Sequence, residues 1–471
     1  MPTTDFTSLP ELCAERLGGA VTDATDEFFA EKENLIKPAA AVWKEGEYTD
    51  RGKWMDGWET RRHRAPDHDW CTIRLGLPGV VTGVVIDTAF FRGNFPEAAS
   101  LEGLCRGEWV EILPRVELKG DSQNRYPVHH PGVVTQLRLH IYPDGGVARL
   151  RVHGHPEADL SAWRRLGEID LASVAHGAGV TSVTDAFFSP AWHMLLPDRA
   201  RGMHDGWETK RRRGPGHDTA TVRLACEGTL REVEIDTSFF RGNYPTEASV
   251  EAYVGNHWEE VVPRSPLGPH ASHRFPVTVT TAVLRLHIYP DGGVARLRAW
   301  GRPTAAALHV HAVRALWARA DLPALLTRCN AAPAWVTGML AAWPGTPDAM
   351  HHASDRIWAA LPHEQWQTAI AAHPPIGATG TVSAWSGQEQ SGMAGADDIV
   401  RARLAKQNAV YRTHFGYTFL INATGKSAAT MLAELERRLG NPPETELQEA
   451  AAELAKITRI RLDKLLAEVT A

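Results

Sequence analysis

The sequence predicts a multidomain protein in which two tandem all-β sandwiches of jelly-roll type precede an all-α domain. Three observations predict this fold class: one unit of roughly 130 residues occurs twice, apolar and polar residues alternate within it, and a helical period takes over after Gly301. The chain has 471 residues. At about 150 residues per domain, this length allows for about three domains.

Composition excludes several functional classes. The net charge is −6, from 50 basic and 56 acidic residues. The sequence has no long block of either sign, which argues against a nucleic-acid or membrane-surface partner. No apolar run approaches the roughly 20 residues of a spanning helix. The five scattered cysteines indicate neither a disulfide framework nor a thiolate metal site, and the first residues lack a signal-peptide layout. We therefore expect a cytoplasmic protein.

The first two domains are copies of one another. Residues 56–69 recur at 205–218, residues 87–100 recur at 236–249, and residues 137–151 recur unchanged at 284–298. The first copy carries about ten extra residues within 32–52. The expected boundaries are therefore 1–160 and 161–302 for the two sandwiches, 303–317 for a linker that runs into a helix, and 318–471 for the helical domain.

Alternation of apolar and polar residues with a period of two predicts that each unit is built from β-strands. Leu137, Leu139 and Ile141 alternate with polar residues, which places the apolar set on one sheet face. The turn residues at 143–146 then predict a hairpin with the strand at 147–151.

Helix-breaking residues and one long apolar stripe predict that the last domain is helical. Pro344-Gly345 breaks one helix, and Gly440 followed by two prolines stops another. Thr445 to Gln448 forms a capping box that opens a last helix over 445–469. Its buried stripe comprises Leu447, Leu454, Ile457, Leu465 and also Arg461. An arginine within an apolar stripe needs an anionic or polar partner, or must extend to solvent.

Polar residues present in both copies are the candidates for chemistry in the β part. They are Glu59 with its counterpart Glu208, and Arg92 with its counterpart Arg241. Both arginines fall in a loop at a strand end, where β-sandwiches commonly carry binding residues. For each arginine, a structural ion pair and a ligand contact are equally open.

Several other polar and aromatic residues point more weakly to function. His68 and Asp69 form a His-Asp pair, which is a weak metal signal. His140 and His287 fall on the polar face of a strand, and we expect them to be plain surface residues. The phenylalanine pair at 90–91 is expected to pack in the core.

The motifs DEFFAEKENLIKP, DGWETRRHR, DTAFFRGNFPEAASLEG and HIYPDGGVARLR, in this order, resemble the allantoicase family over about residues 12–302. The resemblance implies two galactose-binding-like jelly rolls and hydrolysis of allantoate to (S)-ureidoglycolate and urea. Arginine suits the substrate carboxylate because its fork donates two parallel hydrogen bonds, and a glutamate can bind ureido N–H groups or activate water. The sequence leaves open whether Arg92 or Arg241 and Glu59 or Glu208 act, and whether a divalent metal assists. It offers no clean ligand set.

Three local patterns mark the helical domain. Pro374 predicts that a helix ends near His373, and a half-buried histidine at a helix end explains that residue as well as catalysis does. Ser386 to Glu389 reads equally as a capping box. Arg461 within its apolar stripe is the third pattern.

Together, HPPIG, WSGQEQSG, NAVYRTHFGYTFLINATGKSA and ITRIRLDKLL resemble 2-oxo-4-hydroxy-4-carboxy-5-ureidoimidazoline (OHCU) decarboxylase over about residues 318–469. The resemblance implies that His373 is the proton donor, that Glu389 assists, and that no cofactor is needed to form (S)-allantoin. One departure from many animal members is that Asp355 to Trp358 replaces an Arg-Pro-Phe segment. The implied substrate-binding residues are Pro374, Ser386, Gly387, Gln388, Gln390, Phe419, Leu420, Ile421, Asn422, Ala423 and Arg461.

The leading interpretation is a bifunctional enzyme of purine and ureide catabolism with two small-molecule substrates, allantoate and OHCU. We expect a homo-oligomer without nucleic-acid or membrane partners. Two alternatives stay open: the sandwiches are non-catalytic modules that bind a ureide or a carbohydrate, or the helical domain only mediates oligomerisation. Convergence of His373 and Arg461 would argue against the second alternative.

Overall fold

The computed structural model describes residues 5–63, 67–373, 398–423 and 425–470. The chain divides into two compact units, residues 1–308 and 309–471. The first unit is built from two copies of one β domain, and the second is helical. This arrangement confirms the predicted fold class of two all-β domains followed by an all-α domain.

The strands of the first copy are β1 Ala20–Ala24, β2 Tyr48–Thr49, β3 Gly52–Lys53, β4 Trp58–Glu59, β5 Asp69–Asp87, β6 Ala98–Cys105, β7 Glu108–Glu117, β8 Gln123–Pro127, β9 Val133–Tyr142, β10 Gly146–Val147 and β11 Arg149–Pro156. The second copy comprises α1 Ser161–Leu166, β12 Ile169–Asp170, β13 Gly179–Val183, β14 Trp207–Glu208, β15 Asp218–Asp236, β16 Glu247–Val254, β17 His257–Pro266, β18 Ser272–Tyr289, β19 Gly293–Val294 and β20 Arg296–Pro303. Short 3-10 helices span Phe6–Ser8, Glu15–Leu17, Lys32–Ile36, Val174–His176, Ala191–Leu195 and Met203–Asp205.

One long strand organises each copy. The first half of β5 pairs antiparallel with β9, and its second half pairs antiparallel with β11. The sheet continues from β9 to β6 and β7. In the second copy, β18 pairs with both halves of β15 and so takes the places of both β9 and β8, while β20 pairs with the second half of β15. The alternating residues Leu137, Leu139 and Ile141 are fully buried, as their period predicts.

The predicted hairpin around residues 143–146 is wrong. The strands before and after this turn do not pair with each other, because each pairs with a different half of β5. The short strand β10 that follows the turn pairs instead with β4, which places Gly146 opposite Glu59. The turn thus joins two parts of the β domain, and β19 pairs with β14 equivalently in the second copy.

A buried arginine fixes the loop that differs between the copies. In the first copy, Arg149 donates to the Ala39 carbonyl at 2.9 Å and to the Asp56 carboxylate at 2.8 Å. In the second copy, Arg296 donates to the Asp198 carbonyl at 2.7 Å and to the Asp205 carboxylate at 3.2 Å.

Between these anchors, the first copy has residues 40–55 and the second has only residues 199–204. We call residues 40–55, which contain β2 and β3, the covering segment. The two anchor aspartates of the second copy also contact the first copy, since Arg16 pairs with Asp198 at 2.9 Å and with Asp205 at 2.5 Å.

The helices of the second unit are α2 Ala305–Trp317, α3 Leu322–Cys329, α4 Pro333–Ala342, α5 Pro347–Ala359, α6 His363–Ala371, α7 Asp398–Phe415, α8 Ala428–Arg438 and α9 Pro443–Thr470. Helix α2 occupies most of 303–317, so the expected linker is helical from Ala305 on. Helix α9 begins two residues before Thr445, since Pro at a first helical position costs no hydrogen bond. Its predicted stripe, including Arg461, is buried.

No helix among the described residues is long and apolar enough to cross a membrane.

Candidate active sites

A cavity of about 620 Å³ opens beside Glu59 in the first copy. The covering segment forms one wall, and the loop after β5 forms the other. The lining residues are Phe29, Trp43, Glu45, Lys53, Met55, Glu59, Phe90, Arg92, Gly93 and Asn94. Its mixture of aromatic, cationic and carboxylate groups suits a small polar anion.

Backbone pairing on both sides positions Glu59. Strand β10 pairs with it through Gly146, and its carbonyl accepts from Phe29 N at 3.2 Å. Its side chain, which belongs to a residue only 9% exposed, accepts from Asn94 Nδ2 at 2.7 Å. Burial raises the pKa of Glu59 despite this hydrogen bond. A buried carboxyl with a raised pKa in a cavity is suited to general acid–base work.

The loop that carries Arg92 and Asn94 begins with a strained residue. Phe90 has a φ of 69°, and the equivalent Phe239 has 70°, a conformation that a bulky residue rarely adopts. Strain of this kind often persists where function needs a fixed loop. The prediction for 90–91 is half right: Phe91 is fully buried, but Phe90 lines the cavity, with its ring 5.9 Å from that of Trp43.

The two candidate arginines differ in their surroundings. Arg92 is 78% exposed at the cavity rim and pairs with Asp121 at 3.1 Å. In the second copy His270 takes the place of Asp121, since it accepts from Phe239 N as Asp121 accepts from Phe90 N. Arg241 is exposed. Arg92 therefore forms an ion pair and also lies at the cavity, so a structural role and a ligand-binding role both stay open for it.

The second copy keeps the Glu–Asn pair but lacks the covering segment. Asn243 donates to Glu208 at 2.5 Å, and β14 pairs with β19 at this point as β4 pairs with β10. However, Phe188 is 62% exposed, whereas its counterpart Phe29 is half-buried.

A histidine chain that the sequence reading missed occurs in both copies. His68 Nε2 lies 2.9 Å from His140 Nδ1, and His140 Nε2 lies 3.0 Å from the Glu102 carboxylate. The expectation that His140 is a plain surface residue is wrong, because its side chain is only 13% exposed. Burial is the main cause that lowers the pKa of His140.

The second copy repeats the chain, so the expectation for His287 is wrong as well. His217 Nε2 lies 2.9 Å from His287 Nδ1, and His287 Nε2 lies 2.8 Å from Glu251. The signal that could have found the chain is that all three residue types recur at equivalent positions.

The weak metal signal at His68 and Asp69 does not become a site. Asp69 instead pairs with His63 at 2.8 Å and accepts from Thr25 at 2.6 Å. Across the described parts of the chain, no group of three or more His, Cys, Asp or Glu side chains could hold a metal ion.

In the helical unit, the structure brings His373 and Arg461 together. His373 follows α6 and is 8% exposed, and its Nδ1 lies 3.0 Å from the Ala369 carbonyl. Because a carbonyl only accepts, Nδ1 carries a proton. Nε2 of the neutral ring therefore accepts from Arg461 Nη1, which lies 3.0 Å away. This convergence argues against a purely oligomerising role.

The segment 419–423 is buried and its backbone is partly engaged. Phe419, Leu420, Ile421 and Ala423 are at most 5% exposed. The Leu420 carbonyl accepts from Arg438 at 2.8 Å. Asn422 N donates to Glu453 at 2.7 Å, and its carbonyl accepts from Lys426 at 2.7 Å. The protein thus holds this backbone in place from several sides.

A buried ionic cluster beneath this segment was not predicted. Arg438 is 1% exposed and Glu446 is fully buried, and their closest N–O distance is 2.5 Å. Tyr411 donates to the same carboxylate, and burial together with this bond raises the pKa of Tyr411. Arg438 also lies over the Phe419 ring, 4.8 Å from its centroid.

The segment that replaces Arg-Pro-Phe contacts the last helix. Asp355 pairs with Arg459, and Trp358 Nε1 donates to the Ala451 carbonyl at 3.0 Å. The remaining predicted residues lie outside the described part of the chain: Pro374, Ser386, Gly387, Gln388, Glu389 and Gln390.

The allantoicase repeat model matches residues 10–157 and 169–304, which is more than half of the chain. The chain belongs to the allantoicase family. A second family model, OHCU decarboxylase, matches residues 316–463 of the same chain. Both matches confirm the resemblances seen in the motifs.

Relatives and solved structures agree for the β part. A probable allantoicase of Nocardia farcinica is 47% identical over 63% of this chain and 95% of its own length. The allantoicase of Dictyostelium discoideum is 43% identical over 61% and 85%. The crystal structure of Saccharomyces cerevisiae allantoicase has a TM-score of 0.54 and 35% identity, and covers 63% of this chain and 96% of its own. The protein thus joins an allantoicase to an OHCU decarboxylase domain, two enzymes of ureide breakdown.

Proposed function

We propose that this protein hydrolyses allantoate to (S)-ureidoglycolate and urea in the cavity of the first copy. The observation that supports this most is the buried carboxyl of Glu59, which has a raised pKa and a fixed amide neighbour, Asn94. Glu59 takes a proton from water as the water oxygen bonds to the central carbon of allantoate. The bond from that carbon to one ureido nitrogen breaks, and the proton passes to the departing urea.

The cations at the cavity bind the substrate carboxylate in this proposal. Arg92 and Lys53 both line the cavity, and they come from its two opposite walls. Trp43 and Phe90 limit the entry of water, which strengthens electrostatic contacts to the substrate.

Glu59→Gln and Glu208→Gln form a matched pair that tests the proposal. Each change keeps the shape of the side chain and the bond to its asparagine neighbour. Loss of a general acid–base group lowers kcat by about 10²- to 10⁴-fold. We expect that loss for Glu59→Gln and near-normal urea release for Glu208→Gln. Equal activity of the two variants would contradict the assignment to the first copy.

We propose that His373 delivers the proton in the decarboxylase reaction, with Arg461 binding the carboxylate of OHCU. The bond from the hydroxyl-bearing ring carbon to the departing CO₂ breaks, and its electron pair moves into the bond to the neighbouring carbon that carries the ureido group, while the electron pair of the ring C=N bond moves to its nitrogen. That neighbouring carbon then takes a proton from His373, and the hydroxyl becomes the carbonyl of (S)-allantoin as its proton passes to the nitrogen. The close contact with Arg461 favours the neutral ring of His373 before substrate binds. A substrate carboxylate at Arg461 offsets that positive charge and so favours the protonated imidazole. Glu389 is proposed to assist on the resemblance alone.

His373→Asn tests this role, with His363→Asn as the control. His363 is exposed and stacks on Trp366, with ring centroids 5.0 Å apart. We expect His373→Asn to abolish the circular dichroism signal of newly formed (S)-allantoin, and His363→Asn to keep it. Near-full stereoselective activity of His373→Asn would contradict the proton-donor role.

We further propose a cytoplasmic homo-oligomer that needs no cofactor for decarboxylation. None of the five cysteines forms a disulfide bond, and burial raises the pKa of Cys13 and Cys71, as suits inert thiols of a reducing compartment. Urea release before and after chelation by EDTA tests whether the allantoicase half uses a divalent metal. Undiminished turnover after chelation would speak for a metal-free reaction.

A further inference from the structure

Another pocket of the first copy, about 430 Å³ in volume, shares no lining residue with the cavity beside Glu59. It lies where β5 begins, next to the residues that follow β4. We call it the histidine pocket. Neither of the two proposed reactions uses its side chains. The lining residues are Thr25, Asp26, Arg61, Arg62, His63, Asp67, His68 and Asp69.

The first histidine of this pocket presents a nitrogen that can accept a hydrogen bond. His63 Nε2 lies 2.8 Å from the buried carboxylate of Asp69, which also accepts from Thr25 Oγ1 at 2.6 Å. Because an ionised carboxylate only accepts, the neutral His63 ring carries its proton on Nε2. Its Nδ1 therefore has a free lone pair, and no residue in the described part of the chain donates to it.

The second histidine reaches the same state through the histidine chain. The Glu102 carboxylate lies 3.0 Å from His140 Nε2 and fixes the proton there. His140 Nδ1 then accepts from His68 Nε2 at 2.9 Å, which leaves the lone pair of the neutral His68 ring on Nδ1. The Asp67 carboxylate lies 4.0 Å from this nitrogen, too far for a hydrogen bond. Two imidazoles thus offer an accepting nitrogen in one pocket.

One cation of the histidine pocket is available to a ligand. Arg61 already pairs with Asp26 at 2.8 Å. Arg62 is exposed and forms no hydrogen bond or ion pair with any residue that the structure describes. A guanidinium binds a carboxylate well because its planar fork donates two parallel hydrogen bonds.

The second copy differs at one decisive position. Arg212 stands in the place of His63, and its guanidinium pairs with the equivalent aspartate, Asp218. A guanidinium has donors only, so this position cannot accept a hydrogen bond. His217 keeps the role of His68, since its Nε2 lies 2.9 Å from the next histidine of its own chain. The two accepting imidazoles thus occur together in the first copy.

We propose that the histidine pocket binds a small carboxylate that also carries a ureido group, at a site separate from the cavity beside Glu59. Arg62 binds the carboxylate, and Nδ1 of His63 and of His68 accept from the ureido N–H groups. Asp67 is a further acceptor at the rim, where its side chain is 71% exposed. The proposal concerns binding alone and does not depend on where either reaction takes place.

Histidine NMR of the full chain, labelled with ¹³C at Cε1, tests this site. The probe is N-carbamoylglycine, which has one carboxylate and one ureido group, titrated at constant pH. Each signal is assigned by its loss in His63→Arg, His68→Gln or His217→Gln. We expect the signals of His63 and His68 to shift with one common Kd and the signal of His217 to stay in place.

Two variants and a matched control locate the contacts. Arg62→Gln should raise the Kd at least tenfold, read from the His68 signal. His63→Arg should do the same, and it introduces the residue that already pairs with the equivalent aspartate in the second copy. Arg211→Gln is the control, because Arg211 is exposed at the equivalent position of the second copy, and it should leave the Kd unchanged. Thermal melting should show that each variant folds.

Two further arms define the ligand and the site. Acetate has no N–H group and should bind at least tenfold more weakly than N-carbamoylglycine. Glu59→Gln should leave the shifts unchanged, since it alters the other cavity. Immobile signals of His63 and His68, an equal shift of His217, an unchanged Kd in Arg62→Gln, equally tight binding of acetate, or loss of the shifts in Glu59→Gln would each overturn the proposal.

Discussion

Replacing Arg438 by methionine should destabilise the helical unit strongly. The change removes the guanidinium from a pair in which Arg438 is 1% exposed and Glu446 is fully buried. Among the described residues, it leaves Tyr411 and Asn441 as the hydrogen-bond donors to a buried carboxylate. Breaking one partner of a buried ion pair costs about 3 to 5 kcal/mol, and the lost bond to the Leu420 carbonyl adds about 1 kcal/mol.

The neighbouring Arg437 provides the control. Its side chain is 50% exposed and pairs with Glu434 and Glu449 on the surface. Arg437→Met should cost at most about 1 kcal/mol, as is usual for exposed pairs. Hydrogen–deuterium exchange of the amides at 417–446 in the full chain measures both effects locally.

A double variant separates stability from positioning. Arg438→Met with Glu446→Leu removes both charges and should recover most of the lost stability. However, the Leu420 carbonyl still lacks its donor, so decarboxylation should stay impaired, chiefly in KM. An Arg438→Met variant as stable as Arg437→Met, or a double variant with unchanged decarboxylase kinetics, would refute this reasoning.

Three further outcomes follow from the β unit. Burial raises the pKa of Glu59. At pH values just above the ordinary carboxyl pKa, this carboxyl is therefore still protonated in the folded chain, whereas it has lost its proton in the unfolded chain. The unfolding free energy should therefore fall as pH rises through that window; Glu59→Gln should flatten the fall in denaturation at several pH values, and an unchanged slope would contradict it. Replacing residues 40–55 by the sequence of 199–204 should raise the KM for allantoate at least tenfold while the chain stays folded, and an unchanged KM would argue against a role for the cover. His140→Leu should lower the stability of the first copy by about 1 to 3 kcal/mol by leaving Glu102 and His68 with fewer partners, and a thermal melting curve like that of the unchanged protein would speak against the chain.

The repeats and periods in the sequence predicted the fold class and much of the packing. An alternating period reports which face of a strand is apolar, so the burial of Leu139 and Ile141 could be predicted. A seven-residue spacing reports the stripe of a helix, so the burial of Arg461 could be predicted as well. Both signals are local, and local spacing determines both features.

Pairing across the chain could not be predicted in the same way. The residues at 143–146 indicate a turn, but they do not say that the strands on either side choose different halves of β5. The alternation placed His140 on a polar face without showing that Glu102 and His68 would meet it there. The anchors for the segment 419–423 lie on two helices, and no local pattern links Arg438 to Glu446.

The two arginine-held anchors make the loop between them an exchangeable part. Arg149 and Arg296 fix both ends of their loops from within the buried framework, so the length between the ends can change without moving a strand. Sixteen residues in one copy and six in the other already show two tolerated lengths on nearly the same framework. Loops of new sequence could therefore be grafted between these ends to give the same sandwich a different pocket.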